Sequence, residues 1–396
     1  MTDAYLYSAV RTPIGKFGGS LANHLPSDLG AEAMKAALDR AGIAGSDLDF
    51  FVMGNVLRAG HGQLVPRQAA FKAGIPKSVD GQAVDMVCSS GMMAVINAAS
   101  LIKAGDADVV LAGGMESMST AGFYLSHKAR WGYKFLGAGQ EPLLDIMQRD
   151  GLSDPETGDA MGDQTERLAE EHGITRDELD AIAAESNRRA AHAQQIGHFA
   201  DEIAPVDYRV KRDTKTLDHD EGVRPETTME SLGGLRPAFK KDGVLTAGNA
   251  SQISDGASAL VVGSKEAGLR LGMTPLAKIT GYGWAAGEPW RFPEAPIPAV
   301  KSVLDKTGTT LGDYDLFENN EAFAINSILF ERMLGVGQDK LNIHGGAIAL
   351  GHPIGCSGAR ILTTLVHALR THGKERGMAS ICHGTGGGTA LAVELV

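Results

Sequence analysis

Cysteine is scarce in this sequence, with only three among 396 residues. No two of them have the Cys-x-x-Cys spacing, so we expect neither a disulfide framework nor a cysteine-based zinc site. Basic residues are also in the minority, because 37 Lys and Arg oppose 48 Asp and Glu, for a net charge of −11. This balance argues against nucleic acid or an anionic membrane as a partner, since both require a basic surface. Any anionic ligand must therefore be held by a local basic patch.

Long apolar runs and a targeting peptide are lacking as well. No stretch approaches about 18 uninterrupted apolar residues, and no basic region followed by an apolar core precedes the strand-like start of the chain. We therefore expect no membrane span and no signal or transit peptide. The expected location is a reducing cytoplasm.

What the chain does have is the composition of a folded protein, with 43% apolar and 21% charged residues. Its length suffices for two domains or one large layered unit. An internal repeat is the clearest structural signal: residues 34–51 align without a gap to residues 300–317, with seven identical positions.

The repeat continues downstream, where Ser90-Gly91 matches Ser357-Gly358. Each pair opens a helix-like segment, 91–104 or 358–371, and each segment leads to a buried-strand run, 107–111 or 378–382. The pattern predicts an α/β protein built from two halves on one plan. A chance similarity between two amphipathic helices is the weaker alternative.

An inserted segment, residues 120–245, has no counterpart at this offset. It contains a helix-like stretch, 163–195, and a group of basic residues from Arg209 to Lys241. Long segments of this kind in compact proteins usually carry binding function. We favour an anion-binding role over a solvated loop with ordinary charges.

Cys88 lies where an apolar, strand-like run gives way to a helix starting near Gly91. Free backbone N–H groups and the positive end of the helix dipole converge at such a position. They lower the pKa of a thiol and favour the nucleophilic thiolate. A packed core cysteine is the alternative, and Cys88 alone does not decide between the two.

The carboxy-terminal half adds a histidine and a second thiol. His352 lies between Gly351 and Pro353, in a segment too rich in glycine for a regular helix, although an isolated histidine is usually a core residue. Cys382 ends a strand-like run and precedes Gly384 and a run of glycines. A dinucleotide loop is excluded, because only eight residues follow Gly388 and no Gly-Lys-Ser/Thr is present.

Together these segments resemble the thiolase family over nearly the whole chain. The motifs that carry the resemblance are Arg11-Thr12-Pro13-Ile14-Gly15, Cys88-Ser89-Ser90-Gly91, Gly113-Gly114-Met115-Glu116-Ser117-Met118-Ser119, Thr246-Ala247-Gly248-Asn249-Ala250-Ser251, Asn320-Glu321-Ala322-Phe323, Gly351-His352-Pro353 and Cys382-His383-Gly384.

The resemblance implies an architecture. Each half is expected to be a five-stranded α/β unit, and the two are expected to pack as five layers, αβαβα. The amino-terminal half would take residues 1–119, continued at about 246–270, and the carboxy-terminal half residues 271–396. Residues 120–245 would form a loop domain over the coenzyme A site. Family members are typically homotetramers or homodimers.

The resemblance also implies a mechanism. Cys88 would attack a thioester while His352 takes its proton and assists departure of the coenzyme A thiolate. Cys382 would then remove a proton from a second acetyl-CoA, and the carbanion would attack the acyl group on Cys88. Reversal would cleave a 3-ketoacyl-CoA with coenzyme A. Backbone N–H groups of Cys88 and Gly384 would form one oxyanion hole, and His352 with a water held by Asn320 the other.

No metal or cofactor is needed in this scheme, in which acetyl-CoA, acyl-CoA and 3-ketoacyl-CoA are substrates. Asn320 has an alternative role as a turn or cap before a helix-like run, 321–330. Cys356 is expected to be a packing residue. By resemblance, the substrate and coenzyme A contacts are Leu152, Met161, Arg224, Ser231, Phe239, Ala247, Ser251, Ala322 and Phe323.

Two departures from the family leave the acyl chain open. Ala160 replaces a histidine that many short-chain biosynthetic members have before Met161-Gly162, and His383 and Thr385 interrupt the usual glycine run after the second cysteine. Longer or branched 3-ketoacyl-CoA substrates therefore stay in view beside acetoacetyl-CoA. A ketoacyl synthase would use a second histidine where this chain has Cys382. A non-enzymatic scaffold would have no reason to keep both thiols, His352 and Asn320.

Overall fold

The computed structural model describes residues 2–132 and 142–396. The strands are β1 Ala4–Arg11, β2 Gly15–Lys16, β3 Phe50–Gly54, β4 Asp80–Val84, β5 Val109–Ser117, β6 Phe123–Tyr124, β7 Leu144–Asp145, β8 Val206–Val210, β9 Asp213–Leu217, β10 Ser254–Ser264, β11 Ala277–Ala286, β12 Leu316–Asn319, β13 Arg376–His383 and β14 Gly387–Leu395. The α-helices are α1 Pro26–Ala41, α2 Val65–Lys72, α3 Ser90–Ala104, α4 Met161–Glu171, α5 Arg176–Gln195, α6 Met229–Gly233, α7 Lys265–Leu271, α8 Pro296–Thr307, α9 Ala324–Leu334, α10 Ala347–Leu350 and α11 Ile354–Thr371.

The two halves have the same strand order. In the amino-terminal half the order is β4-β3-β5-β10-β1, and in the carboxy-terminal half it is β12-β13-β14-β11. Strand β3 pairs in parallel with β5, and β12 pairs in parallel with β13. The two pairings that follow are antiparallel in each half, and β3 also pairs in parallel with β4. This repetition of topology agrees with the repeat in the sequence.

The carboxy-terminal sheet differs from the expected five strands. At the position that β4 occupies in the other half, Leu341 makes only an isolated parallel bridge to Phe317. The two sheets are also not separate, because β1 and β11 pair through two residue pairs, Tyr5 with Lys278 and Leu6 with Ala277. Hydrogen bonding between these strands joins the halves into one continuous sheet.

The central helices α3 and α11 pack against each other between the two halves, and each contacts strands of both. Helices α1 and α2 cover the outer face of the amino-terminal sheet, and α8 covers that of the carboxy-terminal sheet. Every residue of α11 from Ile354 to Leu369 is buried. Apolar burial on this scale is the main force that holds the layers together.

The repeated residues have the same structural role in both halves. Helices α1 and α8 each end at a glycine in the left-handed conformation, with φ of 72° at Gly42 and 67° at Gly308. Glycine adopts this conformation without steric cost, which explains why it occurs at this position in both copies. Helices α3 and α11 begin before the predicted residues, β13 contains the predicted run 378–382, and β5 begins at Val109, two residues later than the predicted run 107–111.

The inserted segment departs from the sequence prediction at one point. The helix-like stretch 163–195 is two helices, α4 and α5, separated by Gly173, where φ is 60°. The Thr175 side chain then caps α5 by accepting a hydrogen bond from the Glu178 N–H. Residues 133–141 of this segment lie outside the described residues, and the domain boundaries stay a prediction.

One described segment, residues 87–104, is long and apolar enough to cross a membrane by length and composition. It corresponds to α3, of which most is buried between the two sheets. A core helix passes the same composition test, so this is weak evidence for a membrane span.

Candidate active site

The Cys88 thiol lies on a tight turn between β4 and α3. Val87 has a left-handed backbone, with φ of 47°, which is costly for a β-branched residue. The Ser90 hydroxyl stabilises the turn, because it donates to the Val87 carbonyl at 2.6 Å and accepts from the Met86 N–H at 2.8 Å. Strained backbone held in this way is typical of functional sites.

The Cys88 thiol is buried, and burial is the largest influence on it. Burial raises the pKa of Cys88 to about 12, while hydrogen bonds from the backbone N–H groups of Gly384 and of Cys88 itself act in the opposite direction. The expectation that the helix terminus yields a thiolate is therefore wrong for the ligand-free protein. The two N–H groups that were predicted to form an oxyanion hole do act on the Cys88 sulfur.

His352 lines the same pocket as Cys88. Its Nδ1 lies 2.5 Å from the Ser357 hydroxyl, and that hydroxyl donates to the Pro353 carbonyl at 3.0 Å. Since the serine proton is used by the carbonyl, Nδ1 must carry the ring proton, and Nε2 is left as a base. Nε2 is buried with no hydrogen-bond partner among the described residues. Burial, with a smaller effect of Arg360, lowers the pKa of His352 to about 3, so the ring is neutral.

Cys382 lies near the end of β13 and is fully buried. The Asn326 side-chain amide donates to its sulfur at 3.4 Å. Burial raises the pKa of Cys382, and the charge of Cys88 raises it further. The segments that carry the two cysteines are in contact, because the Ser89 hydroxyl lies 3.5 Å from the Ile381 carbonyl, and a Cβ on Gly384 would lie 3.9 Å from Val87.

Asn320 follows β12 and is fully buried. Its backbone N–H donates to the Ser380 carbonyl at 3.0 Å, but neither side-chain atom, Nδ2 or Oδ1, has a hydrogen-bond partner among the described residues. A buried amide without partners is costly, which argues against a role as an ordinary cap. Helix α9 begins only at Ala324, and Asn326 accepts from the Phe323 N–H at 3.0 Å, so the capping role belongs to Asn326.

The packing of the protein does not require glycine at position 384. A Cβ at this position would meet Met161 at 3.7 Å and Val87 at 3.9 Å, which are ordinary contacts, and its φ is not left-handed. The protein itself therefore leaves room for a side chain at Gly384. A side chain at position 384 would be excluded only by a bound molecule that approaches Cys88 and the Gly384 N–H.

A pocket of about 480 Å³ opens onto Cys88 and His352. Eight of the nine predicted substrate contacts line it, namely Leu152, Met161, Arg224, Phe239, Ala247, Ser251, Ala322 and Phe323. Ser231 does not. It lies in the first turn of α6, where it exchanges hydrogen bonds with Thr228. The sequence around Ser231 has no distinctive motif. It could therefore not show whether Ser231 contacts the substrate or caps a helix.

The walls of this pocket are mostly apolar, and two cations, Lys16 and Arg224, line it. Arg224 is the residue of the basic group in the inserted segment that reaches the pocket; Arg209 lies on the β8–β9 hairpin. Ala160, at the position where a histidine was expected from many short-chain members, also lines the pocket. The site thus combines an apolar channel with local positive charge.

Sequence reasoning missed Glu116 as a residue that shapes the site. Its buried carboxylate accepts from the N–H groups of Val56 at 3.1 Å, Leu57 at 3.2 Å and Gly355 at 3.0 Å, and from the Asn55 amide at 2.9 Å. Burial raises the pKa of Glu116 to about 7 against these hydrogen bonds. Glu116 thereby holds the start of α11, two residues after Pro353. The position of Glu116 within the Gly-Gly-Met-Glu-Ser motif was the one feature of the sequence that could have indicated its role.

Two family models together cover nearly the whole chain. The model described as thiolase, N-terminal domain, matches residues 4–266, and that described as thiolase, C-terminal domain, matches residues 273–395. The chain belongs to the thiolase family. The thiolase fold, with its two repeated halves and central helix pair, is the one described above.

Thiolase relatives match over their full length. An acetyl-CoA acetyltransferase of Synechocystis sp. is 60% identical, covering 100% of both chains, and one of Escherichia coli is 47% identical, covering 100% of this chain and 99% of the relative. Two crystal structures, each covering 100% of this chain and 99% of the other, are similar in fold. They are the acetyl-CoA acetyltransferase of Bacillus anthracis, with a TM-score of 0.97 and 39% identity, and human mitochondrial 3-ketoacyl-CoA thiolase, with a TM-score of 0.95 and 38% identity.

Proposed function

We propose that this chain is an acetyl-CoA acetyltransferase, which condenses two acetyl-CoA molecules to acetoacetyl-CoA and, in reverse, cleaves a 3-ketoacyl-CoA with coenzyme A. The observation that carries the proposal is that Cys88 and His352 line one pocket, while Cys382 is buried behind it, one residue after Ile381, whose carbonyl lies 3.5 Å from the Ser89 hydroxyl. The names of full-length relatives at 60% and 47% identity support it. The apolar channel with Lys16 and Arg224 suits an acyl carrier that has an apolar arm and phosphates.

In the first half-reaction, Cys88 attacks the thioester carbonyl and His352 Nε2 accepts the thiol proton. Neither group is charged beforehand, because burial keeps the thiol protonated and the imidazole neutral. The ion pair is formed only as the carbon–sulfur bond forms. No free thiolate is therefore present in contact with water before the substrate binds. The N–H groups of Cys88 and Gly384 are placed to stabilise negative charge on the thioester oxygen.

In the second half-reaction, Cys382 acts as the base toward acetyl-CoA. The departing coenzyme A thiolate takes the Cys382 proton, which leaves a Cys382 thiolate beside the His352 imidazolium. Acylation of Cys88 favours this step, because an acylated Cys88 cannot become a thiolate, whose charge would raise the pKa of Cys382. The Cys382 thiolate then removes a methyl proton, the carbanion attacks the acyl group, and the released Cys88 thiolate recovers the proton from His352.

The test is mass spectrometry of the intact chain mixed with acetyl-CoA. The wild-type chain should gain one acetyl group on Cys88 and lose it when coenzyme A is added. Persistence of the acetyl group on the chain after Cys88→Ala would refute the assignment of the nucleophile. Formation of acetoacetyl-CoA from acetyl-CoA alone separates a thiolase from a ketoacyl synthase, which requires a malonyl carrier protein, and from a scaffold without activity.

A second candidate function is the degradative cleavage of longer or branched 3-ketoacyl-CoA. Ala160 favours it, because a small side chain in place of a histidine widens an apolar part of the pocket. The structural similarity to human mitochondrial 3-ketoacyl-CoA thiolase is compatible with both functions. Thiolysis rates with 3-ketoacyl-CoA chains of increasing length decide between them. A kcat/KM that falls steeply beyond four carbons supports the acetyltransferase, and a rise supports the degradative enzyme.

We further propose that the protein works in the cytoplasm as a homo-oligomer, a tetramer or a dimer, and without a cofactor in the reaction. Four large apolar side chains on or near the β6–β7 pair are more than half exposed: Phe123, Leu125, Trp131 and Leu143. Such a patch is typical of a protein interface. Light scattering of purified protein tests the assembly, and replacement of Trp131 and Phe123 by serine should shift it toward smaller species.

A further inference from the structure

Three histidines from distant parts of the chain meet on the surface away from the thiol pocket. His198 follows α5, His344 lies in the loop before α10, and His372 is the residue after α11. One ring nitrogen from each of the three histidines lies within 4.8 Å of the other two. His344 Nε2 is 3.0 Å from both His198 Nδ1 and His372 Nε2.

This arrangement suits a metal ion better than a set of hydrogen bonds. A ring nitrogen has one in-plane lone pair or one proton, so His344 Nε2 cannot make two good hydrogen bonds to the nitrogens that face it. Three imidazoles at about 2.0–2.1 Å from a tetrahedral zinc ion have their nitrogens about 3.3 Å apart. The two 3.0 Å separations are close to that value.

The surrounding backbone also favours a cation. Helices α5 and α11, of 20 and 18 residues, both end at the cluster, and the carboxyl end of a helix carries partial negative charge. His344 is held firmly, because a Cβ on the adjacent Gly345 would lie 2.5 Å from the Ser186 carbonyl of α5. Preorganised ligands lose little entropy when an ion binds.

The charged neighbours do not oppose a cation on balance. A cavity of about 270 Å³ at the cluster is also lined by Glu185, Arg188, Arg189, His192 and Asp339. Both arginines are paired with Glu185, at 2.6 to 2.7 Å. His192 and Asp339 are candidates for a fourth ligand.

We propose that His198, His344 and His372 bind a divalent transition-metal ion, with Zn²⁺ the best chemical match, and that the ion ties α5 of the inserted segment to α11 of the carboxy-terminal half. Imidazole ligands select Zn²⁺, Cu²⁺ or Ni²⁺ over Mg²⁺ or Ca²⁺. The cluster shares no residue with the lining of the thiol pocket. The metal has no part in the thioester chemistry, and the site does not depend on the proposed function.

Calorimetric titration of the metal-free, full-length protein with ZnSO₄ tests the site. His372→Gln should weaken binding by at least about tenfold, as expected for loss of one ligand. His372 is exposed, so its loss carries little risk for folding, and His198→Gln provides a second variant. His219→Gln is the matched control, because His219 is exposed and paired with Asp218 outside the cluster.

The expected result is one Zn²⁺ per chain, and a rise in Tm with Zn²⁺ that His372→Gln and His198→Gln lose and His219→Gln keeps. Thiols also bind zinc, so the titration is repeated with Cys88→Ser, which should bind as the wild type does. Absence of binding, binding that survives both histidine substitutions, or binding that disappears with Cys88→Ser overturns the proposal. Co²⁺ should give an absorption spectrum without a thiolate charge-transfer band.

Discussion

The two halves of the molecule share a backbone plan but divide the work between them. The pair β3–β5 in one half occupies the same place as the pair β12–β13 in the other. At the ends of these strands, Gly54 therefore corresponds to Asn320, and Met115 corresponds to Cys382. In the carboxy-terminal half these strand ends carry candidate catalytic groups. In the amino-terminal half they carry glycine and apolar side chains.

The amino-terminal strand ends instead hold the other half in position. A Cβ on Gly54 or Gly114 would lie 2.6 or 2.0 Å from the Gly355 carbonyl, and Glu116 accepts from the Gly355 N–H. Close approach of backbone therefore fixes the start of α11, and with it His352. In return, the end of β13 places the Gly384 N–H against Cys88 at the start of α3. Each half thus positions a helix start on which the other half depends.

The largest effect should come from exchanging the two thiols for alanine. Cys88→Ala should lower the rate in both directions by at least about 10⁴-fold, as for other lost nucleophiles. Cys382→Ala should still form the acetyl-enzyme but not condense it, because only proton removal is lost. Burst-phase release of coenzyme A, followed by mass spectrometry, separates the two outcomes.

The control for this pair is Cys356→Ala. Cys356 is the third buried thiol and does not line the pocket, so most of the activity should remain. Equal loss of acylation in Cys88→Ala and Cys382→Ala would contradict the division of roles between the halves.

The next effect concerns Glu116 and its counterpart in the other half, His383. Burial raises the pKa of Glu116 from 4.5 to about 7, so the folded state keeps a proton that the unfolded chain loses, and stability should fall as pH rises between these values. The size is on the order of 3 kcal/mol. Urea unfolding near pH 5 and near pH 8 should show this slope in the wild type and a weaker slope in Glu116→Gln.

His383 should act with the opposite sign. Burial lowers the pKa of His383, so the unfolded chain binds a proton that the folded state does not, and stability should rise as pH increases toward 6.5. His383→Gln should remove this rise. Slopes that are the same in wild type and both variants would show that neither group titrates differently in the folded state.

A smaller effect is expected at the serines that begin the two central helices. Ser357→Ala removes the hydrogen bond that sets the tautomer of His352, so kcat should fall roughly tenfold, the equivalent of about 1.4 kcal/mol. KM should stay unchanged, because Ser357 does not line the pocket. Stopped-flow measurement of acylation is the readout.

Ser90→Ala is the matched substitution at the equivalent position. Ser90 contacts backbone atoms of the Cys88 turn and not His352, so the main change should be a lower free energy of unfolding. A rise in KM with unchanged kcat in Ser357→Ala would mean that Ser357 binds substrate rather than positioning His352.

The smallest effect is expected at Ser231 in the inserted segment, which belongs to neither half. Ser231→Ala should change the KM for acetyl-CoA less than about twofold, because within residues 2–132 and 142–396 the Ser231 hydroxyl bonds only to Thr228. Phe239→Ala should raise the KM about tenfold or more through lost apolar contact. Steady-state kinetics of both variants provide the comparison. Equal increases in KM would place Ser231 in the binding site after all.

The α/β class, the repeat and the positions of the main helices could be predicted because they depend on local patterns. Gly42 and Gly308, for example, end equivalent helices through the same backbone conformation. The break at Gly173 was missed, since residues that favour a helix lie on both sides of it. The pairing of β1 with β11 was also missed, because it depends on how two separate halves meet.

Within the candidate site, local sequence identified Cys88, His352, Cys382 and Asn320, since each lies in a short, distinctive motif. It could not give the protonation state of Cys88, because the helix dipole favours a thiolate and burial opposes it, and burial is a property of the whole fold. Glu116 and the three-histidine cluster escaped notice for a related reason. Their partners lie tens to hundreds of positions away in the chain.

The sequence by itself determined the family, the two-fold plan of the chain and the candidate groups for thioester chemistry. Only the tertiary structure decided which atoms of those groups are neutral, which lack partners, and which half supports which helix. The physical reason is that residue types and spacings act over one or two turns of backbone. Desolvation and long-range contacts, in contrast, exist only after the two halves have packed around α3 and α11.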